Sequence, residues 1–231
     1  QDGPLAPSGF RAGRTGPHHA GTSPVTSVRR GSTLALLQDL DPQQSAQQAL
    51  SRAREPRLRA RLIREQERLQ RMASFEGLEA TPGSGSVAGA DEVGRGPMAG
   101  PLVAAAVSFR TVPWLPGLRD SKKLQPAERE ALVPWIRAQA EAWAVCVVPV
   151  EDLNAPEGTI LSHSLAAMRQ CVCRLDPPPE RLMVDGNFLL EDLDIPQRAV
   201  VHGDDLCLTV AAASVLAKVH RDRLMGELEA T

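Results

Sequence analysis

Two apolar runs separated by a charged corner dominate the pattern of this chain. Val87 to Ala90 leads into Asp91 and Glu92, the polar stretch Gly94-Arg95-Gly96-Pro97 follows, and Leu102 to Phe109 is apolar again. The pattern predicts strand, corner, strand. Carboxylates beside a sheet core cost several kcal/mol per ion unless positive charge accompanies them, so such a corner suggests a bound cation. Side chains of a regular strand alternate between faces, so the strand is expected to end or bulge at Asp91 and Glu92 for the two to share a ligand. Gly94 and Gly96 give the backbone freedom for a close approach around Arg95, and a phosphate or sugar would fit that loop.

Beyond this corner the periodicity predicts a sequence of short elements. Leu58, Leu62, Leu69 and Met72 recur among Arg, Glu and Gln, predicting an amphipathic helix from Arg57 to about Phe75 whose basic face is read as solvated. Pro126 opens a helix to Glu141, which Pro134 is expected to kink or divide. A strand over Trp143 to Val150 and a helix over Ile160 to Leu175 precede the stop Asp176-Pro177-Pro178-Pro179. Arg181 to Asp185 is a short strand ending in a carboxylate, and Arg198 to Gly203 repeats the device before Asp204 and Asp205. An open α/β sheet collects functional groups at one end of its strands, so Asp91 with Glu92, Asp185 and Asp204 are candidates to converge. Asp185 before Gly186 also suits a simple turn. Thr209 to Leu228 reads as a long last helix with Ser214, Lys218, Arg221 and Met225 along one edge, expected to face the same place.

This reading divides the chain into residues 1–56, a low-complexity extension expected to be disordered, 57–80, a helix and linker, and 81–231, the main domain. At 231 residues and 42% hydrophobic content, the chain can bury a core. The net charge of −2 argues for no particular partner, although residues 1–80 hold 12 Lys+Arg against 8 Asp+Glu. The 4 cysteines, Cys146, Cys171, Cys173 and Cys207, show no C-x-x-C spacing and are expected to be reduced, buried thiols. No apolar run approaches a membrane span and the start lacks a signal-peptide core, so a cytoplasmic location is expected. Two nucleotide motifs are excluded. Gly89 to Gly94 has the outer glycine spacing of a P-loop, but Arg95-Gly96 stands where Lys and Ser/Thr are required; Gly83-Ser-Gly85 precedes a strand where a dinucleotide fingerprint must follow one.

With these residues in view, the chain from Val87 through Met225 resembles the ribonuclease HII family, the type 2 ribonucleases H. Five ordered blocks carry the likeness: ADEVGRGP at 90 to 97, DSKKL at 120 to 124, VDGN at 184 to 187, HGD at 202 to 204 and AAASVLAKVHRDRLM at 211 to 225. The resemblance implies an α/β, RNase H-like mixed sheet flanked by helices. It implies hydrolysis of RNA in RNA–DNA hybrids and incision at ribonucleotides embedded in duplex DNA, with two Mg²⁺ or Mn²⁺ ions held by Asp91, Glu92, Asp185 and Asp204. Oxygen ligands suit such hard ions, which makes His202 and His220 poor candidates. It further implies that Gly94, Arg95 and Gly96 read a ribose 2′-hydroxyl, and that Ser121, Lys122, Ser214 and Lys218 contact phosphate. A monomer is expected.

Two departures stand out. His202 occupies a position usually held by Lys, and the chain has 0 tyrosines, whereas the family carries a sugar-stacking tyrosine in a segment after the last helix. The catalytic domain is therefore expected to be incomplete at its C-terminal side. The other reading kept is a hybrid-duplex binding module with little turnover.

Overall fold

The computed structural model describes residues 33–38, 40–78, 85–96, 100–154 and 158–230. Its architecture is one mixed sheet with helices on both faces. The elements run α1 (Thr33–Leu37), α2 (Ala46–Arg52), α3 (Pro56–Glu76), β1 (Val87–Val93), β2 (Leu102–Phe109), α4 (Pro126–Gln139), β3 (Ala142–Val148), α5 (Val150–Leu153), α6 (Ile160–Cys173), β4 (Arg181–Asp185), β5 (Gln197–Val200), α7 (Gly203–Leu206) and α8 (Leu208–Glu229). The strand order is β3-β2-β1-β4-β5. β2 pairs antiparallel with β1 and β3, while β4 pairs parallel with both β1 and β5. The C-terminal ends of β1, β4 and β5 therefore lie along one edge of the sheet, the arrangement expected from the recurring carboxylates.

Strand alternation sorts the core into two layers. Val103, Ala105, Val107 and Phe109 of β2 pack with α3, α4 and α8, whereas Ala88, Ala90, Ala104 and Ala106 pack beneath α6. Gly89 permits the tightest approach in the first layer. A Cβ there would stand 2.3 Å from the Thr209 carbonyl carbon and 2.3 Å from the Val210 nitrogen. Only the missing side chain lets the first turn of α8 rest directly on β1.

Several expectations are corrected. β1 neither ends nor bulges at its carboxylates: it pairs regularly with β2 as far as Val93↔Val103. α4 runs unbroken through Pro134, and β3 stops at Val148 before the short α5. Residues 1–32 and 81–84 lie outside the described residues. Within 33–56, however, the expectation of disorder does not hold. α1 and α2 bury Leu36, Leu37 and Ala49 in the same core as α3 and α4, the Ser45 hydroxyl caps α2 by accepting from the Gln48 amide, and the Thr33 amide donates to Glu128 of α4 at 2.7 Å. A few leucines suffice here because the rest of the chain supplies the surface they cover.

A buried carboxylate joins α3 to α8. Glu76, 1% exposed, accepts from the Thr209 amide at 3.2 Å and the Thr209 hydroxyl at 2.7 Å. It occupies the place of an N-cap for a helix whose own preceding residue, Cys207, makes no side-chain cap. Burial pushes its pKa up to about 8, against the Thr209 and Leu208 donors that favour the ionised form.

Candidate active site

The candidate carboxylates are placed by register. β1 and β4 pair up to Ala90↔Val184, so the next residue on each strand, Asp91 and Asp185, lies side by side with the other on the face that carries α8. Glu92 points to the opposite face, toward α6. Asp185 sits close enough to disfavour ionisation of both. The Gly203 amide donates to Asp185 Oδ1 at 2.8 Å, which ties α7 to the end of β4 and brings Asp204 into the group.

Their surroundings differ. Asp91 is 5% exposed, and its pKa is raised well above the ordinary range by burial, then by the Asp185 and Glu92 charges, with the Ser214 hydroxyl working the other way. Glu92 is raised by burial and held back by Arg95, whose Nη1 donates to Oε1 at 3.0 Å. Its other oxygen, Oε2, is buried without a well-formed hydrogen bond; the Ser164 hydroxyl on α6 lies beside the carboxylate and favours its ionised form, but is too poorly aligned to satisfy it. Asp204 is raised by burial and by Asp120, and is offset by Lys122, whose Nζ lies 3.4 Å away. Asp205 instead pairs at the surface with Lys123. The two neighbouring aspartates, equivalent in the pattern of the sequence alone, thus have separate environments.

The remaining candidates fall into two groups. Ser121 and Ser214 are both buried and share a hydrogen bond of 2.9 Å beside Asp91. Arg129 braces the Ser121 turn from beneath, donating to the carbonyls of Ser121 and Leu124 and to Asp222. Gly94, Arg95 and Gly96 form the rim of the site. At Gly94 φ is +113°, and a Cβ would stand 2.9 Å from the Pro101 carbonyl oxygen and 3.1 Å from Arg221 Nε, so glycine is required by both conformation and space. Arg221 donates to Pro101 O at 2.9 Å, which fastens the rim to α8. Lys218 pairs with Asp222 one turn along its own helix.

Asp120, Ser164 and Arg129 are the neighbours that sequence reasoning passed over. Asp120 stood inside the DSKKL block and had a signal. Ser164 and Arg129 had none, since each becomes significant only when α6 and α4 dock. Among the described residues, no three His, Cys, Asp or Glu side chains form a ready-made ligand set for one ion. Glu92 and Asp204 face cations, Arg95 and Lys122, and Asp91 and Glu92 diverge across the sheet. The fit to cations rests instead on the orphaned Glu92 Oε2, the burial of Asp91 and the all-oxygen donor set, which favours hard divalent ions.

A cleft of mixed charge, with three arginines against Glu65 and Asp205, lies between α3 and α7. About 590 Å³ in volume, it is lined by Arg68, Arg71, Phe75, Arg119, Asp205 and Leu206 among others.

Comparison with known proteins bears on the same segment. The family model for ribonuclease HII matches residues 88–231. Curated proteins named ribonuclease HII include one from Ruegeria sp., 47% identical over 67% of this chain, and one from Pelotomaculum thermopropionicum, 46% identical over 71% of it. The chain spans 66% and 62% of those proteins' own lengths, less than two thirds of each. The ribonuclease HII in a complex with PCNA from Archaeoglobus fulgidus superposes with a TM-score of 0.56 at 33% identity, over 62% of this chain and 76% of that one. The mixed sheet, the carboxylates along one edge of it and the match across nearly all of the region that builds them place this chain in the ribonuclease HII family.

Proposed function

We propose that this chain is a ribonuclease H that hydrolyses the RNA strand of RNA–DNA hybrids and incises at ribonucleotides embedded in duplex DNA. The observation that carries the reading is the gathering of Asp91, Glu92, Asp185 and Asp204 at one edge of the sheet, with more buried negative charge than Arg95 and Lys122 offset. Mg²⁺ or Mn²⁺ bound there would supply Lewis-acid stabilisation of a phosphodiester and a water of lowered pKa. Asp91 and Asp185 are the side chains to hold a cation on the α8 face, Asp204 borders them, and Glu92 offers its unpartnered oxygen on the α6 face.

The other residues have positioning tasks. Ser121 and Ser214, locked by their mutual hydrogen bond, and Lys122, largely exposed beside Asp204, are placed to meet phosphate oxygens. Gly94 and Gly96 expose backbone at the rim, where a 2′-hydroxyl can be told from a deoxyribose. Arg95, folded onto Glu92, is released from that pair if a cation takes over the carboxylate, and then becomes available to substrate. Lys218 contacts phosphate only if it leaves Asp222.

The test is strand-specific cleavage of a DNA duplex containing one ribonucleotide, with Mg²⁺, Mn²⁺ or EDTA. Incision at the ribonucleotide with either ion and none in EDTA is expected. Cleavage that persists in EDTA, or an inert chain that still binds the duplex, would overturn the reading.

A further inference from the structure

The α6 face of the sheet holds a second chemical feature, remote from the carboxylate edge. Cys146 lies on the edge strand β3, where its Cα partner on β2 is Ala104. Cys171 of α6 packs on the same residue, its thiol 3.3 Å from the Ala104 carbonyl oxygen. Both cysteines therefore adjoin one residue, Ala104. Arg174, one turn beyond Cys171, places Nη1 3.5 Å from Cys146 Sγ. Arg174 is itself exposed, so the Cys146 sulfur is one side chain below the surface. The remaining thiols stand apart: Cys207 is buried in the other layer, and Cys173 is exposed, against the expectation that all four would be buried.

We propose that Cys146 and Cys171 are a redox-active thiol pair that a hydroperoxide converts into an intramolecular disulfide. The two sulfurs have distinct roles. The Cys146 thiol is shifted down by the neighbouring Cys171 side chain and by the Arg174 guanidinium, while burial opposes them; the Cys171 thiol is shifted up by burial. Cys146 is therefore the thiolate that attacks. Its sulfur takes the distal oxygen of the hydroperoxide, the O–O bond breaks, and the alkoxide leaves with a proton from solvent as an alcohol, or as water from hydrogen peroxide. Cys146 is now a sulfenic acid. Cys171 loses its proton and its sulfur displaces the hydroxyl, which leaves as water, forming the S–S bond. The disulfide ties the edge strand β3 to α6.

The experiment uses the full chain carrying Cys173→Ser, reduced, treated with hydrogen peroxide, alkylated and mapped by mass spectrometry without reductant. A Cys146–Cys171 cross-linked peptide is expected. Adding Cys171→Ser should leave a sulfenic acid on Cys146 that dimedone captures, and Arg174→Ala should slow that capture, because a smaller fraction of the thiol is ionised without the guanidinium. Recovery of both cysteines as alkylated free thiols after peroxide, or cross-linking only between separate chains, would overturn the proposal.

Discussion

Replacing Glu76 by Gln tests how the two long helices are joined. Glu76 is 1% exposed and titrates near 8, raised from 4.5 chiefly by burial. A carboxyl with a higher pKa in the folded chain retains a proton there that the unfolded chain has lost. Its contribution to stability is full below about pH 4.5, falls across the window between the two values, and is gone above about pH 8. Each pH unit inside the window costs about 1.4 kcal/mol, so raising the pH from about 6 to about 8 should remove roughly 2–3 kcal/mol through this group alone. For a chain of this size that is about 5–10 °C in Tm. In Glu76→Gln the amide oxygen still accepts from Thr209 but carries no titratable proton, so this part of the slope disappears. The measurement is Tm by calorimetry against pH for both proteins. Asp91 is also raised and adds slope of the same sign, but equally in each, so the difference between the curves isolates Glu76. A difference that stays constant from about pH 6 to about pH 8 would show that the carboxyl is ionised throughout, with the helix N-terminus outweighing burial.

Three further outcomes are expected. Asp91→Asn and Asp185→Asn should each reduce cleavage of a ribonucleotide-containing duplex by about a thousandfold or more, with Tm unchanged or raised because mutual repulsion is relieved; wild-type turnover under Mg²⁺ would remove that residue from the ligand set. Gly89→Ala should lower Tm by the equivalent of about 1–3 kcal/mol, since its Cβ meets backbone at 2.3 Å, and a Tm equal to wild type would show that α8 shifts at no cost. Leu36→Ala should destabilise by roughly 2–5 kcal/mol in denaturant unfolding if α1 belongs to the core; no change would return residues 33–56 to the status of an appendage.

The amphipathic and strand patterns made most of the sheet and both long helices readable. Leu62, Leu69 and Met72 marked the buried side of α3, and the aspartates after two short apolar runs pointed to one end of a parallel arrangement. What escaped prediction depended on partners distant in the chain. β1 stays regular through Asp91 and Glu92 because β2 holds it to Val93, while β4 releases it at Ala90. No property of residues 91 and 92 encodes that difference. α1 and α2 are too short to show a period and take their order from Glu128, Gln139 and the α3 surface. For the same reason Glu76 drew no attention in the sequence, since the donors it satisfies lie 133 residues away.

The opposite pointing of Asp91 and Glu92 has a consequence for how such a site can change over time. Each carboxylate is carried by a separate packing layer, one repacked through α8 and the other through α6, and the sheet backbone divides the two layers. A volume change under α6 moves Glu92 and leaves Asp91 where it was; one under α8 does the reverse. The seam allows the two halves of the proposed ligand set to be adjusted one at a time, so that neither adjustment has to pass through a state in which both are misplaced.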